Sequence, residues 1–218
     1  QVAFKPEMLN FYVARPERIT WVLGIDPVPP PSEKAIAKGL RNKDWEVFSA
    51  VGFDQVGFYV EEQVENKGHE IDWSVMTFFD FLMRYKPLAA GVDSNAYQRT
   101  LAREFKREIE KRKAFRTQIV EIEDRRSKFH RITNSLLPYA RTGNMHVKKG
   151  LQMFIDQFLE YPGSVKDDHL ESVALAVIAQ QEALPWLKYG DSGADNVYDQ
   201  IAQEEAKMPK LPGSNLCP

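Results

Sequence analysis

The stretch Ile19-Thr20-Trp21-Val22-Leu23-Gly24-Ile25-Asp26-Pro27 decides how the chain is read. It is mostly large, apolar and β-branched, so it predicts a short buried strand. Pro27 has no N–H to give a ladder and biases Asp26 toward an extended conformation, so the strand stops there. A carboxylate is then left at the mouth of a buried strand, where a charge is costly unless it is paired or holds a metal. An Asp-Pro turn alone would account for the dipeptide. Two further acidic positions at comparable element ends favour a site instead.

The rest of the sequence sets the bounds. At 218 residues the chain suits one large domain, with room for two. A hydrophobic content of 43% with 28% charged residues is that of a soluble globular protein. The single cysteine, Cys217, rules out a disulfide framework or a cysteine-based zinc site. No apolar run reaches membrane-spanning length and no signal peptide pattern opens the chain, so a cytosol-like compartment without membrane attachment is expected. A net charge of −2 argues against a protein that coats nucleic acid, while leaving room for a local basic groove. The first residue is Gln1 rather than Met, which suggests a piece of something longer.

Working outward from the first strand, residues 1–18 read as a lead-in that packs on the domain surface. After Asp26 a stiff Pro-rich connection leads into a solvated loop over 33–44. Trp45–Asp54 and Val56–Val64 follow as two strands of an antiparallel meander. Helical spacing marks Ile71–Tyr85, closed by Lys86-Pro87. Leu88–Asp93 is a second short apolar strand ending on an aspartate. A helix over about 95–113, a strand at Gln118–Ile122, a helix through Phe129–Ala140, an extended piece at Met145–Val147 and two more helices complete the order. The domain is expected over 19–183, with a loosely held tail over 184–218. Three meandering strands followed by βα units predict an α/β fold, a mixed sheet with helices on both faces. A right-handed crossover through the helix at 71–85 would set the strands ending at Asp26 and Asp93 side by side and parallel. Their carboxylates would emerge at one sheet edge, where open α/β sheets bind ligands.

The third acidic position is Asp167-Asp168, just before the last long helix. Asp is a favoured N-cap, and Asp168 with Glu171 fits a capping box, so a cap accounts for this pair taken alone. Two adjacent aspartates also allow one to cap while its neighbour faces a site. Clustered carboxylates repel, and hold protons or demand a cation. Magnesium and manganese prefer such oxygen ligands, and two ions about 4 Å apart can activate water and stabilise a leaving oxygen in phosphodiester cleavage. Other chemistries lack their residues: there is no phosphate-binding G-x-x-x-x-G-K-[ST] and no G-x-S-x-G. His69, His130, His146 and His169 have no ligand spacing and read as surface histidines, with His169 of interest beside Asp168. Lys106, Arg107, Lys111, Arg112 and Lys113 alternate with Glu104, Glu108 and Glu110, a solvated paired face. Arg125, Arg126, Lys128 and Arg131 follow a strand expected to end near the acidic edge, where they could meet phosphates, with Lys148 and Lys149 as an extension.

Gly24-Ile25-Asp26-Pro27, Gly91-Val92-Asp93-Ser94-Asn95, Lys128-Phe129-His130-Arg131-Ile132 with Pro138 and Gly143, and Asp167-Asp168-x-x-Glu171-Ser172-Val173-Ala174-Leu175-Ala176, taken in order, resemble the nuclease domain of the phage terminase large subunit. The resemblance covers roughly residues 19–180. It implies an RNase H-like fold and a metal-dependent endonuclease that cuts concatemeric double-stranded DNA during genome packaging. It further implies Asp26, Asp93 and Asp167 or Asp168 as catalytic ligands of two Mg2+ or Mn2+ ions. An upstream ATPase motor, a small terminase subunit and a portal would be partners, in the cytoplasm of the infected host cell. The sequence departs from the family at Asp93, often Glu there, at Lys166, often His, and at Glu171, often Asp. Two other readings fit the residues: another RNase H-like nuclease, such as a junction resolvase or hybrid cutter, and a non-catalytic DNA-docking module.

Overall fold

The computed structural model describes residues 3–29, 45–67, 70–93, 96–112, 117–123, 126–164 and 166–189. The chain divides into two compact units, 1–183 and 184–218, and of the second only the helical residues up to Tyr189 are described. Residues 33–44, His69, Ser94, Asn95, Lys113, Arg125 and the tail from Gly190 lie outside the described residues. No described helix is long and apolar enough to cross a membrane.

Strand β2 (Thr20–Asp26) sits mid-sheet, as its apolar run demands. On one side it pairs antiparallel with β3 (Glu46–Phe53), which pairs antiparallel with β4 (Phe58–Asn66). On the other it pairs parallel with β5 (Ala89–Asp93), and β5 with β6 (Gln118–Ile122). That is the expected meander plus βα units, the RNase H-like arrangement. Two more strands lie beyond β4: the extended piece expected at Met145–Val147 is one, and the lead-in supplies the other. The short β7 (Met145–Lys148) runs parallel to β4, and β1 (Asn10–Tyr12) parallel to β7, giving the order β1-β7-β4-β3-β2-β5-β6. The first residues are thus built into the unit: Phe4 is fully buried and stacks on Phe158 at 4.4 Å.

Among the described residues, five α-helices cover the sheet: α1 (Ile71–Tyr85), α2 (Ala96–Arg112), α3 (Lys128–Thr142), α4 (Gln152–Glu160) and α5 (Asp168–Tyr189). Side chains alternate across a strand, so β2 serves two cores. Leu23 and Ile25 pack with α1 and α2, where Phe78 stacks on Phe105 at 4.1 Å. Val22 lies in the opposite core with residues of α3, α4 and α5. Two glycines let α5 press directly on the sheet. A Cβ at Gly24 would stand 1.7 Å from the Ser172 carbonyl oxygen, and one at Gly91 2.5 Å from that of Leu175. Glycine in a strand interior marks such a close approach. The helix start is thereby laid over the C-terminal ends of β2 and β5.

Candidate functional site

Four element ends meet at that edge. The parallel register pairs Gly24 with Gly91 and Ile25 with Val92, so Asp26 and Asp93 close neighbouring strands at one level. Asp167 and Asp168 arrive at the start of α5. Opposite them α3 opens with Ser127 as its cap, and presents Lys128 and Arg131, three apart and hence on one face.

Lys128 stands among the aspartates. Its Nζ lies 2.8 Å from Asp167 Oδ1, 3.3 Å from Asp168 Oδ1 and 3.4 Å from Asp26 Oδ2. The Trp45 backbone N–H donates to the other Asp168 oxygen at 3.2 Å. Arg131 bridges the remaining acids: Nε donates to Glu171 Oε1, and Nη2 reaches Asp93 Oδ2 at 3.3 Å. Five carboxylates thus face two cations. Burial raises the Asp26 pKa well above the usual carboxylate range, and Glu171 and Asp168 add to this while Lys128 opposes it. Burial pushes Glu171 up to about 7, against the pull of Arg131 and Lys128. Burial works against charge on Lys128 as well, but Asp26 and Asp167 outweigh it and hold the ammonium firmly protonated. With five carboxylates to two cations, burial outweighs the pull of Lys128 and Arg131 and favours the protonated forms of Asp26 and Glu171 while no other cation is present. All its donors are hard carboxylate oxygens, the set that suits magnesium or manganese. Among the described residues, no three His, Cys, Asp or Glu are gathered closely enough to hold a metal as they stand. The cation that Asp26, Asp167 and Asp168 share in this structure is the Lys128 ammonium.

Of the residues singled out from sequence, Asp26, Asp93, Asp167, Asp168, Lys128 and Arg131 come together here. Arg126 lies exposed just before α3. Lys148 pairs with Glu61 on the β4 side of the sheet, three strands from β2 and roughly 14 Å away in the sheet direction alone. Lys149 is exposed beside it. The paired face of α2 is as expected, with Glu108 joined to Lys111 and Arg112.

Two readings need correction. The capping box of Asp168 with Glu171 does not form: α5 starts at Asp168, whose oxygens go to Trp45 and Lys128, while Glu171 goes to Arg131. His169 is no surface histidine but 1% exposed. Its Nδ1 lies 3.0 Å from Gln63 Oε1, and burial lowers its pKa to about 4, so it is neutral. Gln63 also donates to Ser49 Oγ and the His169 carbonyl, and Ser49 meets Ser172 at 2.6 Å. This network fixes α5 to β3 and β4 beneath the aspartates. Its members are scattered in sequence, and only the polar break at Ser49 within a buried strand hints at it.

No protein-family model matches the sequence, and a comparison with curated proteins finds no match. Solved structures do match. The large terminase nuclease from thermophilic phage G20c with bound cobalt aligns at 15% identity and TM-score 0.59, covering 81% of this chain and 96% of that one. The same nuclease with bound magnesium aligns at 13% identity and TM-score 0.55, covering 81% and 96%. The large terminase of a second thermophilic bacteriophage aligns at 11% identity and TM-score 0.55, covering 79% of this chain and 42% of that one. The chain has the RNase H-like fold of large terminase nucleases.

Proposed function

We propose that the chain is a divalent-metal-dependent endonuclease domain that cuts double-stranded viral DNA during genome packaging, using two Mg2+ or Mn2+ ions. The observation that carries this reading is the gathering of Asp26, Asp167 and Asp168 around the Lys128 ammonium, with Asp93 beside them on Arg131, at the strand ends of a terminase-nuclease fold. Asp26 at the end of the central strand, Asp93 at the end of its neighbour and the aspartates at the start of α5 would hold the metal. The metal supplies a lowered water pKa and stabilises the leaving oxygen. The chain's own residues do the rest. Gly24 and Gly91 hold α5 at contact distance, so that the aspartates of two strands and one helix share a single level. Arg131 keeps Glu171 and Asp93 in place. Lys128, on a flexible stem, is long enough to turn from the carboxylates to a backbone phosphate, joined by Arg126. The large terminase of the second phage, of which the match spans 42%, supports a place within a larger machine. An ATPase motor domain, a small terminase subunit and a portal would be the partners, in the cytoplasm of the infected host.

A supercoiled plasmid is the substrate for the test. The chain should nick and linearise it in Mn2+ or Mg2+, fall silent with chelator, and leave an RNA–DNA hybrid uncut. Asp26→Asn should abolish cutting while the fold survives. One observation favours the docking-module reading, namely that Lys128 and Arg131 already neutralise part of the acidic cluster. Duplex binding without cutting in any divalent metal would establish that reading and overturn the nuclease. Duplex affinity of Lys128→Ala/Arg131→Ala across salt, in calcium, tests the phosphate role; the slope should flatten.

A further inference from the structure

The first N–H groups of an α-helix have no partners within it, and an aspartate at the cap position ordinarily takes them. In α5 the helical bonds begin with the Glu171 N–H donating to the Asp167 carbonyl at 2.8 Å, which makes Asp167 the cap residue. Its side chain does not cap; it accepts from Lys128. The His169 and Leu170 amides instead donate to Gln157 Oε1, at 3.0 and 3.4 Å. Gln157 belongs to α4, a separate helix, and is only 5% exposed. Its Nε2 is buried without a hydrogen-bond partner. Turning the amide over would set a donor against two donors, so the orientation is fixed, and the orphaned Nε2 is tolerated for the sake of the two bonds that Oε1 accepts.

We infer that Gln157 is a positioning residue: by capping α5 from another helix, it keeps the Asp167 carboxylate out of the cap and in the acidic cluster. The inference rests on the reading of that cluster as a metal site. A purely structural cap would stabilise α5 and leave the aspartate where it is. A positioning cap competes with Asp167 for the same two amides. Gln157 and Asp167 are then coupled, and loss of the first recruits the second.

The test uses Gln157→Leu, which removes the acceptor, and Gln157→Glu, which keeps it. Scalar couplings across hydrogen bonds, read by NMR in the metal-free chain, report which side chain accepts from the His169 and Leu170 amides. Mn2+ affinity is read by electron paramagnetic resonance. In Gln157→Leu the couplings should pass from residue 157 to Asp167, and Mn2+ affinity should fall about tenfold, the scale of an outer-shell loss. Gln157→Glu should retain both, and adding Asp167→Asn to Gln157→Leu should weaken Mn2+ binding no further. Unmoved Mn2+ affinity with no coupling to Asp167 would overturn the inference, as would full additivity of the two substitutions. If the unaltered chain binds no Mn2+, the metal reading fails by itself, and the couplings still decide the role of Gln157. Should Gln157→Leu not fold, Gln157→Asn, one methylene too short, takes its place with the same expected transfer.

Discussion

Replacing Gly24 with alanine perturbs the joint on which the site depends. The new methyl would lie 1.7 Å from the Ser172 carbonyl oxygen and 2.8 Å from the Ala176 nitrogen, both backbone atoms of α5. To reach even a tight contact, the helix must retreat by roughly 1.3–1.7 Å. Overpacking of this kind costs about 1–3 kcal/mol. A stiffer unfolded chain returns about 0.4–1 kcal/mol, leaving a net loss of about 1–2 kcal/mol. Asp168 lies one turn before Ser172 and moves with it, so its 3.3 Å contact to Lys128 and its 3.2 Å bond from Trp45 are broken. A misplacement of about 1 Å can cost roughly 100-fold in rate. Urea denaturation and Mn2+-dependent plasmid nicking measure the two effects separately. Gly52→Ala is the control: its methyl would meet the Ile19 side chain and the Trp21 ring and no atom of α5, so stability should fall while cutting persists. If Gly24→Ala keeps the urea midpoint and the nicking rate of the parent, α5 is not held by that glycine, and the reasoning fails.

Arg131→Met strands Glu171, whose side chain is 1% exposed, and should cost about 3–5 kcal/mol in urea denaturation. The double variant Arg131→Met/Glu171→Leu should recover part of that, because the buried Glu171 charge is gone while the half-buried Asp93 still lacks its guanidinium. Lys128→Met removes the ammonium from three aspartates, so the metal-free chain should melt earlier and gain more in Tm from calcium than the parent does. Equal calcium shifts would show that the ammonium does not occupy the cation's place. At the far edge of the sheet Glu61 accepts from Lys148 and Tyr12. Burial disfavours its charge, but these bonds outweigh it and hold its pKa below the usual 4.5. Its stabilisation is therefore full above the unfolded pKa and lost as pH falls through the lower folded one. Glu61→Gln should flatten the loss of stability below about pH 4.5, followed by urea midpoints against pH.

The sheet was legible where a local pattern carried it. The apolar run to Asp26, the second run to Asp93 and the helical spacing of Ile71–Tyr85 each hold their structure within a few residues. The edge pairing was not legible: β1 is too short to show a period, and Met145–Val147, though readable as extended, pairs with residues at the opposite end of the unit. β3 was legible as a strand over Trp45–Asp54, although burial along its whole length leaves it no alternation. Gly24 and Gly91 do carry a signal, since glycine inside a strand marks a close approach, but nothing local names the helix that approaches. Lys128 and Arg131 were legible as a basic pair on one helix face. Their partners were not, for Asp26 lies 102 residues from Lys128 in sequence. Asp167 and Asp168 read equally well as caps, and only the placement of Gln157 shows that the cap is supplied elsewhere.

The central claim is that these carboxylates form a cation site now held by a lysine. Diffraction from crystals soaked in Mn2+, collected at the manganese absorption edge, tests it most directly. Anomalous peaks should appear between Asp26, Asp93 and the aspartates at the start of α5, with the Lys128 ammonium turned away from them. Lys128 still seated among Asp26, Asp167 and Asp168, with no anomalous peak at the strand ends, would contradict the account.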